Sequence, residues 1–534
     1  MGQAVKDLII EQLVNFKVEH IYGYAGDTIL SFFSSLANSA IKLYTTKHES
    51  TAGLMASAEA KLSNRIGVCV VHSGPGTANI INGIADAYSD RVPLLLISGQ
   101  VETYNIGTDY RQYVNQLELT NPLTVYSALI INPESVIDLF YKAMTTSLQL
   151  GGVSHLVIPK DIWEQESSAL ARQYPAYLDS KVLPHPELIA QVVTAIEQTD
   201  KIAILYGRGA RECTEELLEL AEKIKAPLIN TLPAAGLIKR EHYLALGGLG
   251  LAGSEDATKI LQEAELILIF AATWWPNNYT PVQPRVIQFD ACRENIGANH
   301  PVELGVYGEL KYSLKKMLET MPDKKNKDWL DRIKQVEHSS PSNPDSGKEK
   351  SSPLLSPDQV IPVISEQIRK QEIITLDSGD NVLWFSKYFT NKCQDVLISG
   401  SWRTMGFGLP AALAAKINFP DNPVTTITGD GGLTMVLAEL LTARRYNLAV
   451  RVIVLNNNSL AMEKNRMLCA ELNPEEVSST NPDFVKLANA CGVKAFRANN
   501  LNQLKEVIKK TELIEQTVLI DIPVSSPILP GTKL

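Results

Sequence analysis

Two short polar stretches in the C-terminal third of the chain carry residue types that bind metal ions. The first is Gly429–Gly432, with the sequence GDGG, and the second is Leu455–Asn458, with the sequence LNNN. Magnesium prefers oxygen ligands and usually keeps substrate phosphates in its shell. Asp430 offers a carboxylate, Asn457 an uncharged amide oxygen and Ser459 a main-chain carbonyl. The sequence therefore predicts a magnesium site, provided that the fold brings the two stretches together.

Glycines surround the aspartate of the first stretch. Gly429, Gly431 and Gly432 carry no side chain, so the main chain can approach phosphate oxygens, and the following helix directs its N-terminus at them. The alternative is an ordinary strand-end turn followed by an asparagine-rich loop. The position of both stretches at the ends of predicted strands favours a phosphate and metal site.

The elements that must position these residues alternate between apolar strands and amphipathic helices. RIGVCVVHSGPG is a predicted strand ending in a glycine loop, ANIINGIADAYSD a helix and VPLLLISGQ a strand, and PVTTITGDGG, MVLAELLTARRYN and VRVIVLNNN repeat that order. Strand–helix–strand units predict parallel sheets covered by helices. We predict an α/β fold with three doubly wound parallel-sheet domains at 1–175, 185–320 and 357–534, with a linker at 321–356.

The linker prediction depends on the segment Ser339–Ser352. Its sequence, SSPSNPDSGKEKSS, contains no apolar residue and is rich in serine and proline. Such a composition cannot bury a core.

The bulk composition excludes some classes of function. The chain has 534 residues and a formal net charge of −9, which argues against nucleic acid or an anionic membrane surface as the main partner. Six cysteines are spread singly, without metal-ligand spacing, as is typical of reduced thiols. No signal peptide and no apolar run of about 18 residues is evident, so a cytoplasmic location and no membrane partner are expected.

The combination of GDGG and LNNN resembles the cofactor signature of enzymes that depend on thiamine diphosphate (ThDP). The resemblance extends through all three predicted domains to the superfamily of acetolactate synthases, pyruvate oxidases and 2-oxo-acid decarboxylases. It implies a pyrimidine-binding first domain, a central domain and a diphosphate-binding third domain. It also implies that Asp430, Asn457 and Ser459 hold magnesium.

Two further residues obtain roles from this resemblance. Glu49, in TTKHESTAGLMASAEAKL, occupies the position of the glutamate that protonates the aminopyrimidine ring of the cofactor. Met405, in RTMGFGLPAALAAK, occupies the position of the apolar side chain that props the cofactor. Otherwise Glu49 would be a helix N-terminal acid and Met405 a core residue. Family glutamates and diphosphate sites come from different subunits, which implies a homodimer or homotetramer with active sites at the subunit interface.

Two residues bear on the fate of the substrate. Asp27, in GYAGD, resembles an aspartate that simple pyruvate decarboxylases use in proton transfer, whereas acetolactate synthases have glycine there. His72, in VVHSGPG, resembles the active-site histidine of benzoylformate decarboxylase. An aspartate and a histidine near a reacting carbon form a reasonable acid–base pair. The alternatives are that Asp27 caps a helix and that His72 is a hydrogen-bonded strand-end residue.

The segment GTDYRQY resembles the GTDAFQE segment that family members place near the second substrate. Gln112 is shared, whereas Arg111 and Tyr113 replace the phenylalanine and the glutamate. A guanidinium at this position either binds a substrate carboxylate or is a surface charge. This departure argues against plain acetolactate synthesis.

The central domain resembles the flavin-binding domain of acetolactate synthases and pyruvate oxidases. The similar segments are Gly247–Gly253, Ala272–Tyr279 and Val286–Gly297, and Asp290 is a candidate ribose ligand. The arginine that acetolactate synthases carry here is replaced by Trp274–Trp275. Decarboxylases keep this domain without flavin, so FAD stays an open alternative.

The predicted function is decarboxylation of a small 2-oxo acid, followed by protonation or transfer of the acyl carbanion. The enzyme would be an acetolactate synthase-like carboligase or a decarboxylase, with a flavin-dependent pyruvate oxidase-type oxidoreductase as the alternative. Two other classes are a nucleotide-binding regulator and a catalytically inactive relative. The presence of Glu49, Asp430 and Asn457 argues against both.

Overall fold

The computed structural model describes residues 2–337, 354–390, 393–512, 515–529 and 532. The predicted linker segment Ser339–Ser352 lies outside these ranges. Each of three regions contains a six-stranded parallel sheet flanked by helices, which confirms the predicted α/β class with three doubly wound sheets.

The N-terminal region contains eight strands and six α-helices. They are β1 (Gln3–Ala4), α1 (Val5–Asn15), β2 (His20–Gly23), α2 (Leu30–Leu36), β3 (Lys42–Thr45), α3 (Glu49–Ser63), β4 (Gly67–Val71), α4 (Pro75–Ser89), β5 (Leu94–Gln100), α5 (Gln116–Thr120), β6 (Tyr126–Leu129), α6 (Val136–Leu150), β7 (Val153–Pro159) and β8 (Glu166–Ser167). The sheet order is β3-β2-β4-β5-β7-β6, and β1 pairs antiparallel with β8. Strands β4 and β5 are buried along their whole length, because helices cover both faces of the sheet.

The central region repeats this architecture. Its elements are α7 (Pro186–Glu197), β9 (Ile202–Tyr206), α8 (Thr214–Ile224), β10 (Leu228–Asn230), β11 (Ala245–Gly248), α9 (Glu255–Glu263), β12 (Leu266–Phe270), β13 (Arg285–Asp290), β14 (Leu304–Tyr307), α10 (Leu310–Thr320) and α11 (Lys327–Glu337). The sheet order is β11-β10-β9-β12-β13-β14.

Helix α11 corrects the predicted linker at 321–356. Trp329, Ile333 and Val336 of this helix are buried in the central core, and the Trp329 indole N–H donates to the carbonyl of Ile202 at 3.0 Å. These apolar residues recur at helical spacing, so they form a buried stripe within a segment that is otherwise strongly polar. The packed part of the central region therefore continues to at least the end of α11.

The C-terminal region contains the third sheet. Its elements are α12 (Pro357–Gln367), β15 (Ile373–Leu376), α13 (Asp380–Tyr388), β16 (Val396–Ile398), α14 (Gly408–Asn418), β17 (Val424–Gly429), α15 (Asp430–Thr434), α16 (Glu439–Arg445), β18 (Arg451–Asn456), α17 (Ala461–Cys469), α18 (Phe484–Ala490), β19 (Lys494–Arg497), α19 (Leu501–Lys510) and β20 (Val518–Pro523). The sheet order is β16-β15-β17-β18-β20-β19.

The N-terminal and C-terminal regions share one apolar core, because helix α3 packs against both α4 and α14. Met55, Ile84 and Leu413 belong to this cluster. The buried Lys61 ammonium stabilises the contact through ion pairs with Asp86 at 2.6 Å and Asp90 at 2.7 Å. In turn, the Asp90 carboxylate accepts hydrogen bonds from the main-chain N–H groups of Gly400 and Ser401. This network fixes the loop that leads into α14.

Among the described residues, no helix is both long enough and apolar enough to cross a bilayer.

Candidate active site

The GDGG stretch lies at the point where the strand order of the C-terminal sheet reverses. Strand β15 connects to β16 on one side, and β17 connects to β18 on the other. A crevice forms outside the carboxyl ends of two such strands, and ligands of doubly wound sheets bind there. The crevice is a cavity of about 330 Å³, which we call the C-terminal cavity. Its lining includes Asp430, Gly431 and Gly432 after β17 and Asn457 and Ser459 after β18.

Asp430 is the buried carboxylate of this cavity, with 1% of its surface exposed. Burial raises the pKa of the Asp430 carboxyl above its ordinary value, and the amide of Asn481, which donates to it at 2.6 Å, opposes that rise. A buried carboxylate that faces a cavity without a cationic side chain bonded to it fits a bound cation. Asn481 was not predicted from the sequence, because it lies in a loop far along the chain from the glycines.

The second predicted ligand, Asn457, is held in place by its own turn. Its side-chain oxygen accepts hydrogen bonds from the main-chain N–H of Ser459 at 3.1 Å and from the Ser459 hydroxyl at 3.0 Å. Strands β17 and β18 are neighbours, with Gly429 paired to Leu455, so the two stretches end side by side as required. Across the described ranges, no group of three or more His, Cys, Asp or Glu side chains forms a metal cluster. The candidate site is instead a mixed oxygen set, which suits a hard cation.

The glycines leave room that side chains would fill. A Cβ atom at Gly432 would lie 2.7 Å from the carboxyl carbon of Asp377, and one at Gly431 would lie 2.7 Å from Leu460 and 3.1 Å from the Met405 methyl. Met405 therefore packs directly over the glycine turn and lines the same cavity. The oxygen ligands, the glycine turn at the start of α15 and the apolar side chain beside it fit magnesium and a diphosphate.

Two acids after β15 belong to this region and were missed in the sequence. Asp377 is fully buried and accepts hydrogen bonds from the N–H groups of Ser378 and Gly406, both at 2.8 Å. Asp380 lines the cavity and accepts from the Trp384 indole at 2.5 Å. Burial raises the pKa of each carboxyl to about 6. Both acids follow directly after β15, the other strand at the reversal of strand order, and the segment LDSGD could have supplied this signal.

Glu49 begins helix α3, at the strand-to-helix junction where it was expected. It is 8% exposed, and one of its carboxylate oxygens accepts a hydrogen bond from the Asn79 amide of α4 at 3.0 Å. A Cβ atom at Gly76 would lie 3.4 Å from the other oxygen. Gly76, in the first turn of α4, therefore leaves space beside this carboxylate oxygen.

His72 lies at the reversal point of the N-terminal sheet, where strands β2 and β4 diverge. Its Nδ1 accepts from the Thr28 main-chain N–H at 3.4 Å and lies 2.8 Å from the Thr28 hydroxyl, and its Nε2 lies 3.0 Å from the Gln112 side-chain oxygen. Because a main-chain N–H can only donate, Nδ1 is the acceptor and Nε2 carries the proton. Gln112 has a positive φ of 62°. Thr28 was not predicted.

Asp27 does not cap a helix. It starts a 3₁₀ turn, and its carboxylate forms an exposed ion pair with Lys160 at 2.9 Å. The Lys160 ammonium holds the pKa of Asp27 below its ordinary value, with smaller contributions from His72 and Arg111. The same pairing raises the pKa of Lys160, another residue that was not predicted. Arg111 is exposed and lies 6.0 Å from the Tyr110 ring centroid.

The predicted site residues thus form two groups. Asp27, His72, Arg111 and Gln112 gather at the N-terminal sheet, with Glu49 beside the same glycine loop. Met405, Asp430, Asn457 and Ser459 line the C-terminal cavity together with the three glycines. Within the part of the chain that the structure describes, none of the N-terminal group lines that cavity.

A second cavity of about 570 Å³ lies between the central and C-terminal regions, and we call it the interdomain cavity. Its walls combine apolar and aromatic side chains, among them Trp274, Tyr279, Phe385 and Phe389, with three arginines, Arg240, Arg403 and Arg466. The predicted ribose ligand Asp290 does not line it. The Asp290 carboxylate instead accepts from the Cys292 N–H at 2.8 Å and from the Asn295 amide at 2.9 Å.

Comparison with protein families agrees with the three sheets and the glycine turn. Residues 3–119 match the N-terminal TPP-binding domain of thiamine pyrophosphate enzymes, residues 189–317 the central domain and residues 377–522 the C-terminal TPP-binding domain. The chain belongs to the thiamine pyrophosphate enzymes, thiamine pyrophosphate being another name for ThDP. The predicted superfamily and the prediction of a ThDP-dependent enzyme of the carboligase or decarboxylase class are confirmed at this level.

Sequence similarity to known proteins covers almost the whole chain. A probable acetolactate synthase large subunit of Methanocaldococcus jannaschii is 32% identical, across 97% of this chain and 91% of that protein. The acetolactate synthase large subunit of Lactococcus lactis is 30% identical, across 98% and 94%. A putative thiamine pyrophosphate-containing protein of Bacillus subtilis, YdaP, is also 30% identical, across 99% and 92%.

Proposed function

We propose that this enzyme uses ThDP and magnesium to decarboxylate a small 2-oxo acid. The resulting acyl carbanion is then protonated or transferred to a second carbonyl compound. The observation that carries the proposal is the C-terminal cavity, where the buried Asp430 carboxylate, the Asn457 amide oxygen and a glycine turn face one space. The acetolactate synthase relatives support a 2-oxo acid as substrate.

The roles of the cavity residues follow from their chemistry. Asp430, Asn457 and the Ser459 carbonyl would hold magnesium, and Gly429, Gly431 and Gly432 would admit the diphosphate to the main chain. Met405 would support the cofactor rings, because it lies over the glycine turn. When bound, ThDP supplies the nucleophilic carbon and accepts the electrons that decarboxylation releases.

Three residues of the N-terminal group, Glu49, His72 and Asp27, would transfer protons. Glu49 would protonate the aminopyrimidine of the cofactor, with Asn79 fixing its orientation. In its hydrogen-bond pattern His72 carries a proton on Nε2, so it can donate to an atom that displaces Gln112. Asp27 is a second candidate for proton transfer, and Gln112 and Arg111 are candidates for substrate binding.

We further propose a homodimer or homotetramer with active sites at the subunit interface. The support is the separation of the two groups, because the N-terminal group does not line the C-terminal cavity of its own chain. We also propose a cytoplasmic location, which the singly spread cysteines favour. The domain bounds 1–175 and 357–534 stay predictions, as does the start of the central domain at 185.

A flavin-dependent oxidase-type reaction is the second candidate. The interdomain cavity favours it, because aromatic walls next to the C-terminal cavity suit a planar ring system. Both cavities share Leu383 and Met462, so a ring bound in one would approach a group bound in the other. Against FAD, Trp274–Trp275 replace the family arginine.

A proton NMR time course of the protein with pyruvate, ThDP and magnesium tests the proposal. Acetolactate would identify carboligation, acetaldehyde decarboxylation, and acetate or acetyl phosphate oxidation. Calorimetry of ThDP binding, with and without magnesium, gives a second readout. Absence of magnesium-dependent ThDP binding would contradict the proposed cofactor site.

A further inference from the structure

Two arginines lie where the C-terminal and interdomain cavities meet. Arg403, in the loop before α14, and Arg466, on α17, both line both cavities. Together they place two guanidinium groups at one junction between the 330 Å³ and 570 Å³ spaces.

Arg403 is held in an unfavourable main-chain conformation. Its φ is +53°, in the left-handed region that favours glycine. The loop around it is fixed, because the Asp90 carboxylate binds the N–H groups of Gly400 and Ser401. Backbone strain of this kind persists where the surrounding structure enforces it, and it is concentrated at functional sites.

The Arg403 guanidinium forms no ion pair or hydrogen bond with any side chain in the part of the chain that the structure describes. Arg403 is an exposed residue, but partial desolvation of its guanidinium lowers its pKa, and the nearby Arg466 lowers it further. Asp90 acts in the opposite direction from a distance, but that carboxylate is already bound to Lys61 at 2.7 Å.

Arg466 is only weakly neutralised. Its guanidinium contacts Glu463, one turn earlier on the same helix, at 3.3 Å. Both side chains are exposed, 39% for the arginine and 51% for the glutamate, so this pair is weak and easily rearranged. Because Arg466 lowers the pKa of Arg403, the two guanidinium groups repel each other, and an anion bound between them would offset that repulsion.

The location indicates which anion would bind. Arg403 and Arg466 line the C-terminal cavity together with Met405, the side chain beside the proposed cofactor site, so the arginine pair borders the space in which an acyl group would react. Guanidinium groups bind carboxylate, sulfonate and phosphonate oxygens through paired hydrogen bonds. A substrate with a single carboxylate loses that charge on decarboxylation, whereas a second anionic group would remain to be held.

We propose that Arg403 and Arg466 bind a second anionic group on the 2-oxo acid, so that the enzyme prefers a doubly charged substrate over pyruvate. This inference rests on the proposed function of the C-terminal cavity. It adds the substrate class to that function, and it assigns the pair a role in specificity.

Binding of unreactive acids to the holoenzyme, loaded with ThDP and magnesium, tests the inference. We would titrate succinate, 3-sulfopropanoate and 3-phosphonopropanoate by calorimetry and compare each with butyrate, which has one charge. At least one dianion should bind about 10-fold more tightly than butyrate, because charge-assisted hydrogen bonds contribute that much. Equal binding of all four acids, with ThDP bound normally, would overturn the inference and leave the proposed function intact.

Three variants locate the effect. Arg466→Gln and Arg403→Gly should each reduce the preference for the dianion by about 10-fold. The matched control is Lys464→Gln, which removes one positive charge from the same helix but does not line either cavity. An equal loss in the control would mean that the dianion responds only to the net charge of this region and not to the arginine pair, and the inference would fail.

Arg403→Gly also distinguishes loss of the guanidinium from loss of the fold. Because glycine adopts a positive φ without strain, this variant should unfold at the same temperature as the wild type or higher, while losing the dianion preference. A kinetic comparison of 2-oxoglutarate with 2-oxopentanoate, which share five carbons, gives a second readout in KM. Failure of ThDP to bind at all would instead contradict the proposed function.

Discussion

The N-terminal and C-terminal sheets place their candidate residues at the same topological position, the point where strand order reverses, but they prepare these residues differently. In the N-terminal group, Glu49 and both ring nitrogens of His72 already have protein partners. In the C-terminal cavity, the Asp430 carboxylate also has a hydrogen-bond donor, the Asn481 amide, but it is buried against the cavity and burial raises its pKa.

The difference separates two tasks. A group that transfers protons needs a defined tautomer and orientation, which hydrogen bonds to Asn79 and Thr28 supply before any ligand arrives. A group that binds a cation needs oxygen atoms that face the cation site, and a bound cation offsets the cost of burying a carboxylate there. The following variants test this division, from the largest expected effect to the smallest.

Glu49→Gln should reduce turnover by about 10²–10⁴-fold, because it removes a positioned proton donor while keeping the shape of the side chain. Thermal unfolding and ThDP binding should stay close to wild type. Glu118→Gln, an exposed acid in the first turn of α5, is the matched control and should retain activity. Retained turnover in Glu49→Gln would show that Glu49 is not needed for proton transfer.

Asp430→Ala should weaken magnesium-dependent ThDP binding by more than the 10–100-fold that is typical of outer-shell changes, roughly 100-fold or more, because a direct ligand is lost. Calorimetry at several magnesium concentrations measures the effect. Asp421→Ala, at an exposed site outside both cavities, should bind ThDP normally. Unchanged binding in Asp430→Ala would show that the raised pKa of this carboxyl reflects burial alone.

Asp380→Asn should flatten the dependence of stability on pH. Burial raises the pKa of Asp380 to about 6, so between about pH 4 and pH 6 the folded state keeps a proton that the unfolded state has released. The free energy of unfolding therefore falls as pH rises through this window, by up to about 3 kcal/mol for a two-unit shift. The variant should lose the part of this pH dependence that Asp380 causes. Asp377, whose pKa burial also raises, should lower the free energy of unfolding with rising pH in both proteins.

Urea unfolding at pH 4 and at pH 7 provides the comparison. The difference between the two free energies should be smaller in Asp380→Asn than in the wild type. The same difference in both proteins would mean that Asp380 is ionised in the folded state over this whole pH range, and that burial does not raise its pKa.

Arg111→Phe should have the smallest effect, a rise in KM of about 2–5-fold for a carboxylated substrate, because exposed charges contribute about 1 kcal/mol or less. Arg111→Lys keeps the charge without the planar fork and should fall in between. An unchanged KM would leave Arg111 as a surface charge and would restrict substrate binding at the N-terminal group to Gln112.

Much of this site was predictable because its signals are local. GDGG and LNNN each lie at the end of an apolar strand, and parallel strands bring their carboxyl ends to one edge. Glu49 likewise lies at a junction that the sequence marks. By contrast, Asn481 and Thr28 are unremarkable polar residues in sequence, and their importance comes from contacts with Asp430 and His72.

Helix α11 shows a second limit of the sequence. Its segment is strongly charged, and the neighbouring serine-rich run suggested a linker across all of 321–356. Three apolar residues on one face sufficed to bury the helix, with Trp329 bonded to β9. A short apolar stripe is a weak signal in sequence, but it is enough when a complementary apolar surface is present.

The sequence by itself determined the class of fold, the cofactor family and the strand ends that carry the chemistry, because alternating strands and helices and a glycine turn are local patterns. Only the tertiary structure decided which residues meet. It separated the N-terminal group from the C-terminal cavity, bonded Asp27 to Lys160, and brought Arg403 and Arg466 to one junction. The physical reason is that burial, pairing and pKa depend on neighbours in space, which the order of residues along the chain does not specify.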